Sequence, residues 1–336
     1  MITLHYQRRF GLARGAVYYQ GQPHLYAEGY EHDPRLGLLG TRSVARLTAK
    51  AGGMAFLKLA DGEQAVLEVA PELLAKLNEG AAVEIEIVAE ARGDKQARGQ
   101  YVAAAEGEPR RLSPVLSLKE RLLARSIVCW GDQSVKLDAD AEALDAAAAG
   151  ARNPSGDLAG GGYLSVEPTR ALIACDIDSA GDGENRPSKA FAKSCNERAV
   201  AELPRRLRLS GLAGLIVVDL IGSRHDADRL RTVLKDAFGQ EFARIAVGPI
   251  GKFGTLEFTR PWGACPLVND LQPVSQALYL LQQAAAVSAQ DRGRVLTLRS
   301  RSAVIDVLRP LIANSLDPLA PMLRLEIAAK SEVIAL

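Results

Sequence analysis

The chain has 336 residues, and 41 Lys and Arg against 40 Asp and Glu leave a formal net charge of +1. That length exceeds one small core and predicts two or three units at ~100–200 residues each. The longest apolar runs, such as GLAGLIVVDLIG, fall short of the ~20 residues that span a bilayer, and MITLHYQRRF holds no signal-peptide core, so a cytoplasmic protein without membrane contact is expected.

Residues 1–35 contain alternating segments, GAVYYQGQ and HLYAEGY, followed by the turn signal EHDPRLG, and predict a hairpin. From residue 39, SVARLTA, GMAFLKLA, QAVLEVA and AVEIEIVAEA alternate with Gly-containing turns and one helical insert, ELLAKLNEGA. Short, evenly spaced strands of this kind predict a small β-barrel of the oligonucleotide-binding type. PVLSLKERLLARS has helical spacing, IVCW and SVKLD read as strands, and ADAEALDAAAAGARN favours a helix that ends at a Gly/Pro-rich boundary. Beyond it the order is hairpin, helix 187–209, strand GLIVVDLI, helix 224–239, and strands ARIAVGPI and TLEFTR. Strands alternating with amphipathic helices predict an α/β layer with a mixed or parallel sheet. The tail repeats the pattern with VSQALYLLQQAA, RVLTLRS, SAVIDVLRPLI, LRLEIAA and SEVIAL.

The segment ALIACDIDSAGDG sets an apolar run directly against aspartates. In a strand, residues two apart share a face, so Asp176 and Asp178 project together while Cys175 and Ile177 face the other way. A second strand, LIVVDLIG, ends in Asp219, and if the two are neighbours, three carboxylates converge at one sheet edge. Unpaired, such anions raise one another's pKa values; a Mg²⁺ or Mn²⁺ ion removes that cost. The alternative is that these aspartates only end their strands with turn hydrogen bonds. Charge is also segregated: residues 132–184 carry 3 Lys and Arg against 11 Asp and Glu, and residues 186–260 carry 14 against 8. An acidic block beside a basic one suits a metal-dependent phosphodiester site, although both blocks are also consistent with solvated faces. The cysteines, at 129, 175, 195 and 265, show no CxxC or Cys/His spacing and predict reduced thiols. The four histidines offer no ligand pair, and His225 is expected to cap or begin the next helix; no Walker A or GxGxxG motif is present.

GGGYLSVEPTRALIACDIDSA, CNERAVAELPRRLRLSGLAGLIVVDLI and GPIGKFGTLEFTRPW, in that order, resemble the ribonuclease E/G family. The resemblance implies a multidomain α+β and α/β protein: a ribonuclease H-like scaffold (1–38 and 103–151), an inserted S1-like RNA-binding barrel (39–102), a DNase I-like catalytic unit (152–265) and a small C-terminal α/β domain (272–336). It implies an endoribonuclease that hydrolyses single-stranded RNA to 5′-phosphate and 3′-hydroxyl ends, in RNA processing or decay.

By position, the resemblance makes Asp176 and Asp219 metal ligands, with Asp178 standing where the family usually has asparagine. All three are the expected catalytic carboxylates, with Mg²⁺ or Mn²⁺ between them. Asn196 matches the family's helix asparagine and is an expected RNA contact. Lys252, Arg260, Arg205, Arg206 and Arg208 are expected to contact RNA phosphates, since cleavage places extra negative charge on phosphate oxygens. Phe56 and Lys95 fall where the family's barrel contacts RNA, and Val66 replaces a second aromatic. ACPLVND keeps Cys265 and Pro266 of a zinc-linking motif but has Val268 at its second cysteine, so neither structural zinc nor a zinc-linked dimer is expected. Between the barrel and the hairpin no Arg-Thr pair corresponds to the family's sensor of a 5′ monophosphate. Two other readings stay open: an RNA-binding protein on a degenerate nuclease scaffold, and a metal-dependent nuclease acting on DNA.

Overall fold

Two hairpin turns with left-handed backbone start the chain: Phe10 and Gly11 at φ 52° and 75°, then Gln20 and Gly21 at 50° and 78°. Positive φ at both central residues matches the twist of antiparallel strands, so Ile2–Arg9, Leu12–Tyr19 and Gln22–Tyr30 form a three-stranded meander rather than the single expected hairpin. Phe10 is not a turn-forming residue type, which hid the first turn. The structure, a computed structural model, describes residues 1–179, 188–268, 272–291 and 293–335. The chain divides into two compact units, one of residues 1–33, 116–149 and 269–336, the other of 34–115 and 150–268.

In the first unit, Val135–Asp138 adds parallel to Ile2–Arg9. Helix Leu118–Trp130 starts at a capping box between Ser117 and Glu120, and its Leu118 and Leu122 pack on Ile2, Leu4, Val17 and Leu25. IVCW is the last turn of this helix, not a strand; its β-branched pair has strand propensity, but the capped amphipathic helix continues through it. Helices Pro273–Gln290 and Ser302–Ala313 cover a sheet of Leu323–Ile327, Leu296–Ser300 and Glu332–Ala335. Their core, including Leu281, Leu298 and Leu308, also takes in Phe10 and Leu12.

In the second unit, Arg42–Ala51 pairs with both Met54–Lys58 and Ala82–Ala89, which closes a five-stranded barrel completed by Gln64–Glu68 and Ala97–Ala105. Inward Ala55, Leu57, Ala65, Leu67, Val83, Ile85 and Ile87 fill it. The strand pairing runs beyond residue 102, because Arg110–Arg111 also joins Arg42–Ala51.

The other layer of this unit is a six-stranded sheet in the order Gly156–Asp157, Tyr163–Pro168, Ile173–Asp178, Gly214–Asp219, Thr255–Arg260, Ala246–Val247. Only Ile173–Asp178 and Gly214–Asp219 run parallel. A parallel pair needs a crossover, supplied by helix Lys189–Ser210, which Ser188 caps; residue 187, its expected start, lies outside the described residues. The helix buries Cys195, Ala199, Val200, Leu203 and Leu207 against Ile173, Cys175, Ile177, Ile216 and Val218. Helix Ala227–Phe238, capped by Asp226, adds Leu230, Leu234 and Phe238 to that core. Among the described residues, no helix is long and apolar enough to cross a membrane.

Candidate functional site

Parallel pairing places Asp176 directly opposite Asp219, at the carboxyl ends of two adjacent strands. Ile173, Cys175 and Ile177 are buried while Asp176 and Asp178 are exposed, so the apolar alternation turns both carboxylates to the other face. Asp219 is exposed as well. These residues line an open cleft of about 290 Å³ with Ile177, Ser179, Leu220 and Ile221. In open α/β sheets, ligands bind in crevices at the carboxyl ends of parallel strands. Among the described residues, no group of three or more His, Cys, Asp or Glu is arranged to hold a metal ion. The paired Asp176 and Asp219, with Asp178 beside them, are what the edge offers a cation.

Asn196 lies beneath this edge, 3% exposed. Its Nδ2 donates to the Ile221 carbonyl at 3.0 Å and its Oδ1 accepts from the Ile221 N–H at 3.0 Å. Both ends of the amide are engaged by the segment that follows Asp219, so Asn196 is a buried tie between the long helix and that segment rather than an exposed RNA contact. The hairpin is equally constrained: at Gly162, φ is +97° and a Cβ would lie 2.5 Å from Cys195 Sγ, so only glycine fits.

The basic residues divide into two groups. Arg206 is 6% exposed, and its guanidinium donates to the carbonyls of Pro154, Gly156, Leu164 and Asp157 at 2.8–3.1 Å, tying the long helix to the hairpin. Arg208, 2% exposed, and Arg260 both meet buried Glu241, at 3.4 and 2.6 Å. Arg260 also donates to the Leu212 carbonyl at 2.7 Å. The expectation that Arg206, Arg208 and Arg260 face phosphates is therefore corrected: burial gives their donors to carbonyls and Glu241. Arg205 pairs with Glu202. Burial pushes the Glu202 carboxyl up, but hydrogen bonds from Arg205 and Arg206 outweigh that and hold it below its ordinary range.

Lys252 is exposed on a tight turn beside the acidic edge. Thr255, just past this turn, is the cross-strand partner of Asp219, and the Gly254 carbonyl accepts from Leu220 N–H at 3.2 Å.

On the barrel, Phe56 lies opposite Val66, and Val66 opposite Arg98. Their strand neighbours, among them Ala55, Leu57, Ala65, Leu67 and Ala97, are buried, so Phe56, Val66 and Arg98 form one outward row. Arg98 was missed in the sequence; alternation from inward Ala97 would have found it. Lys95 is exposed on the turn just before that strand. The barrel is joined to the segment after Arg260: Glu90 N–H donates to the Gly263 carbonyl, its carboxylate accepts from Cys265 N–H at 2.9 Å, and Arg92 stacks 3.9 Å over Trp262.

Fold and site together define an α/β layer with paired carboxylates at parallel strand ends, joined within one compact unit to a closed β-barrel. Residues 131–262 match the Ribonuclease E/G family, a stretch that includes all three aspartates, the long helix and the Lys252 turn. The resemblance drawn from the motifs is to this same family. The chain is 33% identical to Ribonuclease E of Nostoc sp. over 119 residues, 35% of this chain and 17% of that protein. It is 38% identical to Ribonuclease E of Escherichia coli over 106 residues, 31% of this chain and 10% of that protein. Ribonuclease G of Escherichia coli is 28% identical over 106 residues, 31% of this chain and 22% of that protein. The matched stretch thus spans a quarter or less of each of these relatives.

Proposed function

We propose that the protein is a metal-dependent endoribonuclease that hydrolyses single-stranded RNA to 5′-phosphate and 3′-hydroxyl ends, in RNA processing or decay. The observation that carries this reading is the in-register pair Asp176 and Asp219 at the carboxyl ends of neighbouring parallel strands, inside the stretch that matches the Ribonuclease E/G family.

The donor set fits Mg²⁺ or Mn²⁺. Mg²⁺ is commonly held by one or two carboxylates plus substrate phosphate oxygens and keeps several waters, so a closed cage of three or more protein ligands is not needed. Asp176 and Asp219 would hold the ion. It would supply a Lewis acid and lower the pKa of a coordinated water. Asp178, on the same face as Asp176, adds negative charge to the cleft. Asn196 keeps the Leu220–Ile221 wall of the cleft in place through its paired hydrogen bonds. Lys252 would meet the phosphate backbone beside the cleft, and Arg205 would do so when it leaves Glu202. The outward row of Phe56 and Arg98, with Lys95 nearby, suits single-stranded nucleic acid: an aromatic face stacks on any base while cations follow the backbone. In this reading the barrel is S1-like and the six-stranded layer is the DNase I-like catalytic unit, with residues 1–38 and 103–151 contributing a ribonuclease H-like scaffold.

Incubating labelled single-stranded RNA with the protein and with Asp176→Asn, each in Mg²⁺, Mn²⁺ or EDTA, tests the reading. Internal cuts that require both the metal and Asp176 are expected. Tight RNA binding without cutting would replace the nuclease with an RNA-binding protein on a degenerate scaffold. Preferential cutting of a DNA oligomer in competition would overturn the choice of RNA.

A further inference from the structure

Phe253 is 93% exposed, the most exposed aromatic side chain among the described residues. It occupies the centre of a tight turn with Lys252: Gly254 N–H donates to the Gly251 carbonyl at 3.0 Å, and Gly251 N–H donates to the Thr255 carbonyl at 2.9 Å. Gly254, at φ +84°, takes the left-handed position that ends the turn. Neither the turn nor the core requires a phenylalanine here. Central turn positions favour Asp, Asn, Ser, Gly or Pro, and a side chain this open gains almost nothing from burial.

The turn is fixed to the acidic edge. The Gly254 carbonyl accepts from Leu220 N–H, one residue beyond Asp219, and Thr255 lies opposite Asp219 in the sheet. Phe253 is therefore one residue from a backbone hydrogen bond to the cleft wall, on a turn whose other central residue is a lysine. An aromatic face, a cation and carboxylates come together at one strand end. This combination matches one nucleoside of a strand with its two flanking phosphates: a base for the ring, a backbone phosphate for the ammonium, and a metal-held phosphate at the carboxylates.

We propose that Phe253 is a stacking platform for a nucleobase flanking the phosphate that is cut, and so fixes the register of the strand across Asp176 and Asp219. The inference rests on reading the acidic edge as the RNA-cleaving site, and it adds a base-binding position to it. Because every base has a π-face, the platform would hold the strand without choosing a sequence. It also gives this edge its own grip on RNA, independent of the barrel's outer row.

The test compares parent, Phe253→Ala and Phe253→Trp on a labelled single-stranded RNA. It measures kcat and KM in Mg²⁺, and Kd in the Asp176→Asn background. At 93% exposure Phe253 contributes little to packing, so all three are expected to fold. Phe253→Ala is expected to raise KM and Kd by about 5- to 150-fold, the range of one lost base stack, and Phe253→Trp to restore both. In RNAs carrying one abasic nucleotide at successive positions, one position should abolish the difference between parent and Phe253→Ala. Equal KM and Kd for parent and Phe253→Ala, with cleavage intact, would overturn the platform while leaving the nuclease reading in place. A parent that does not cut, but whose Kd still weakens in Phe253→Ala, would overturn the nuclease reading and reduce the platform to a base-binding position on an RNA-binding protein.

Discussion

Asn196 and Ile221 form a reciprocal pair: the side-chain amide gives one hydrogen bond to the backbone carbonyl and takes one from the backbone N–H, each at 3.0 Å. Asn196→Ala leaves both backbone groups without their partner in a partly buried place, a cost of up to about 1–3 kcal/mol per group where water does not replace it. The strand end two residues from Asp219 should loosen. We expect kcat to fall at least tenfold with a smaller change in KM, together with a lower Tm. Steady-state cleavage and thermal denaturation check both parts; an unchanged kcat would remove Asn196 from the positioning role.

Asp219 faces Asp176 across one rung of the ladder. Asp219→Asn should lose at least ~100-fold in RNA cleavage even in saturating Mg²⁺, the scale on which a single transition-state contact acts. Stability should hold or rise slightly, because the substitution removes a carboxylate from a like-charged edge. Cleavage at the parent rate would show that Asp219 is not a metal ligand.

Glu241 is buried between Arg208 and Arg260. Glu241→Gln strips the compensating charge from two guanidinium groups and should destabilise by about 3–5 kcal/mol, read by urea denaturation. Arg206→Ala should likewise lower stability, since it removes the donor to four carbonyls. In protein that remains folded, neither change should alter the salt dependence of RNA binding, whereas Lys252→Ala should reduce the salt slope by about one counterion.

Glu202 has a carboxyl whose pKa lies below its ordinary value: burial raises it, and the hydrogen bonds from Arg205 and Arg206 lower it further than burial lifts it. A depressed folded-state pKa contributes stability above the unfolded pKa, and that contribution is lost as pH falls through the folded one. Parent should therefore be more stable than Glu202→Gln at pH 7, and the gap should close as pH drops below the ordinary carboxylate range. Urea midpoints for both proteins between pH 7 and pH 3 give the comparison, and a gap independent of pH would contradict it.

The carboxylates were legible in the sequence because strand alternation is a backbone rule: Cys175 and Ile177 inward oblige Asp176 and Asp178 outward. The arginines were not. RRLRL looks like a basic face, yet Arg206 and Arg208 lie on the buried side of the Lys189–Ser210 helix, where their partners are carbonyls and Glu241. Main-chain acceptors have no sequence signature, so a buried arginine reads the same as a solvated one. Asn196 was misread for a similar reason, since its partner is the backbone of Ile221. IVCW shows local propensity yielding to a capped helix. Phe253 passed unnoticed because an aromatic at a turn tip breaks no periodic pattern, and only its exposure makes it stand out.

Asp176 and Asp219 hang from adjacent strands at the same level of a hydrogen-bonded ladder. The gap between their backbones is then the interstrand spacing of a β-sheet, ~4.8 Å. No loop sets that distance, and no loop motion can change it. Slipping one strand by a single residue would turn its aspartate into the apolar core, so the ladder rules out small adjustments. The protein carries a ruler whose marks are main-chain hydrogen bonds, and surrounding loops can diverge freely while the two anions stay in step.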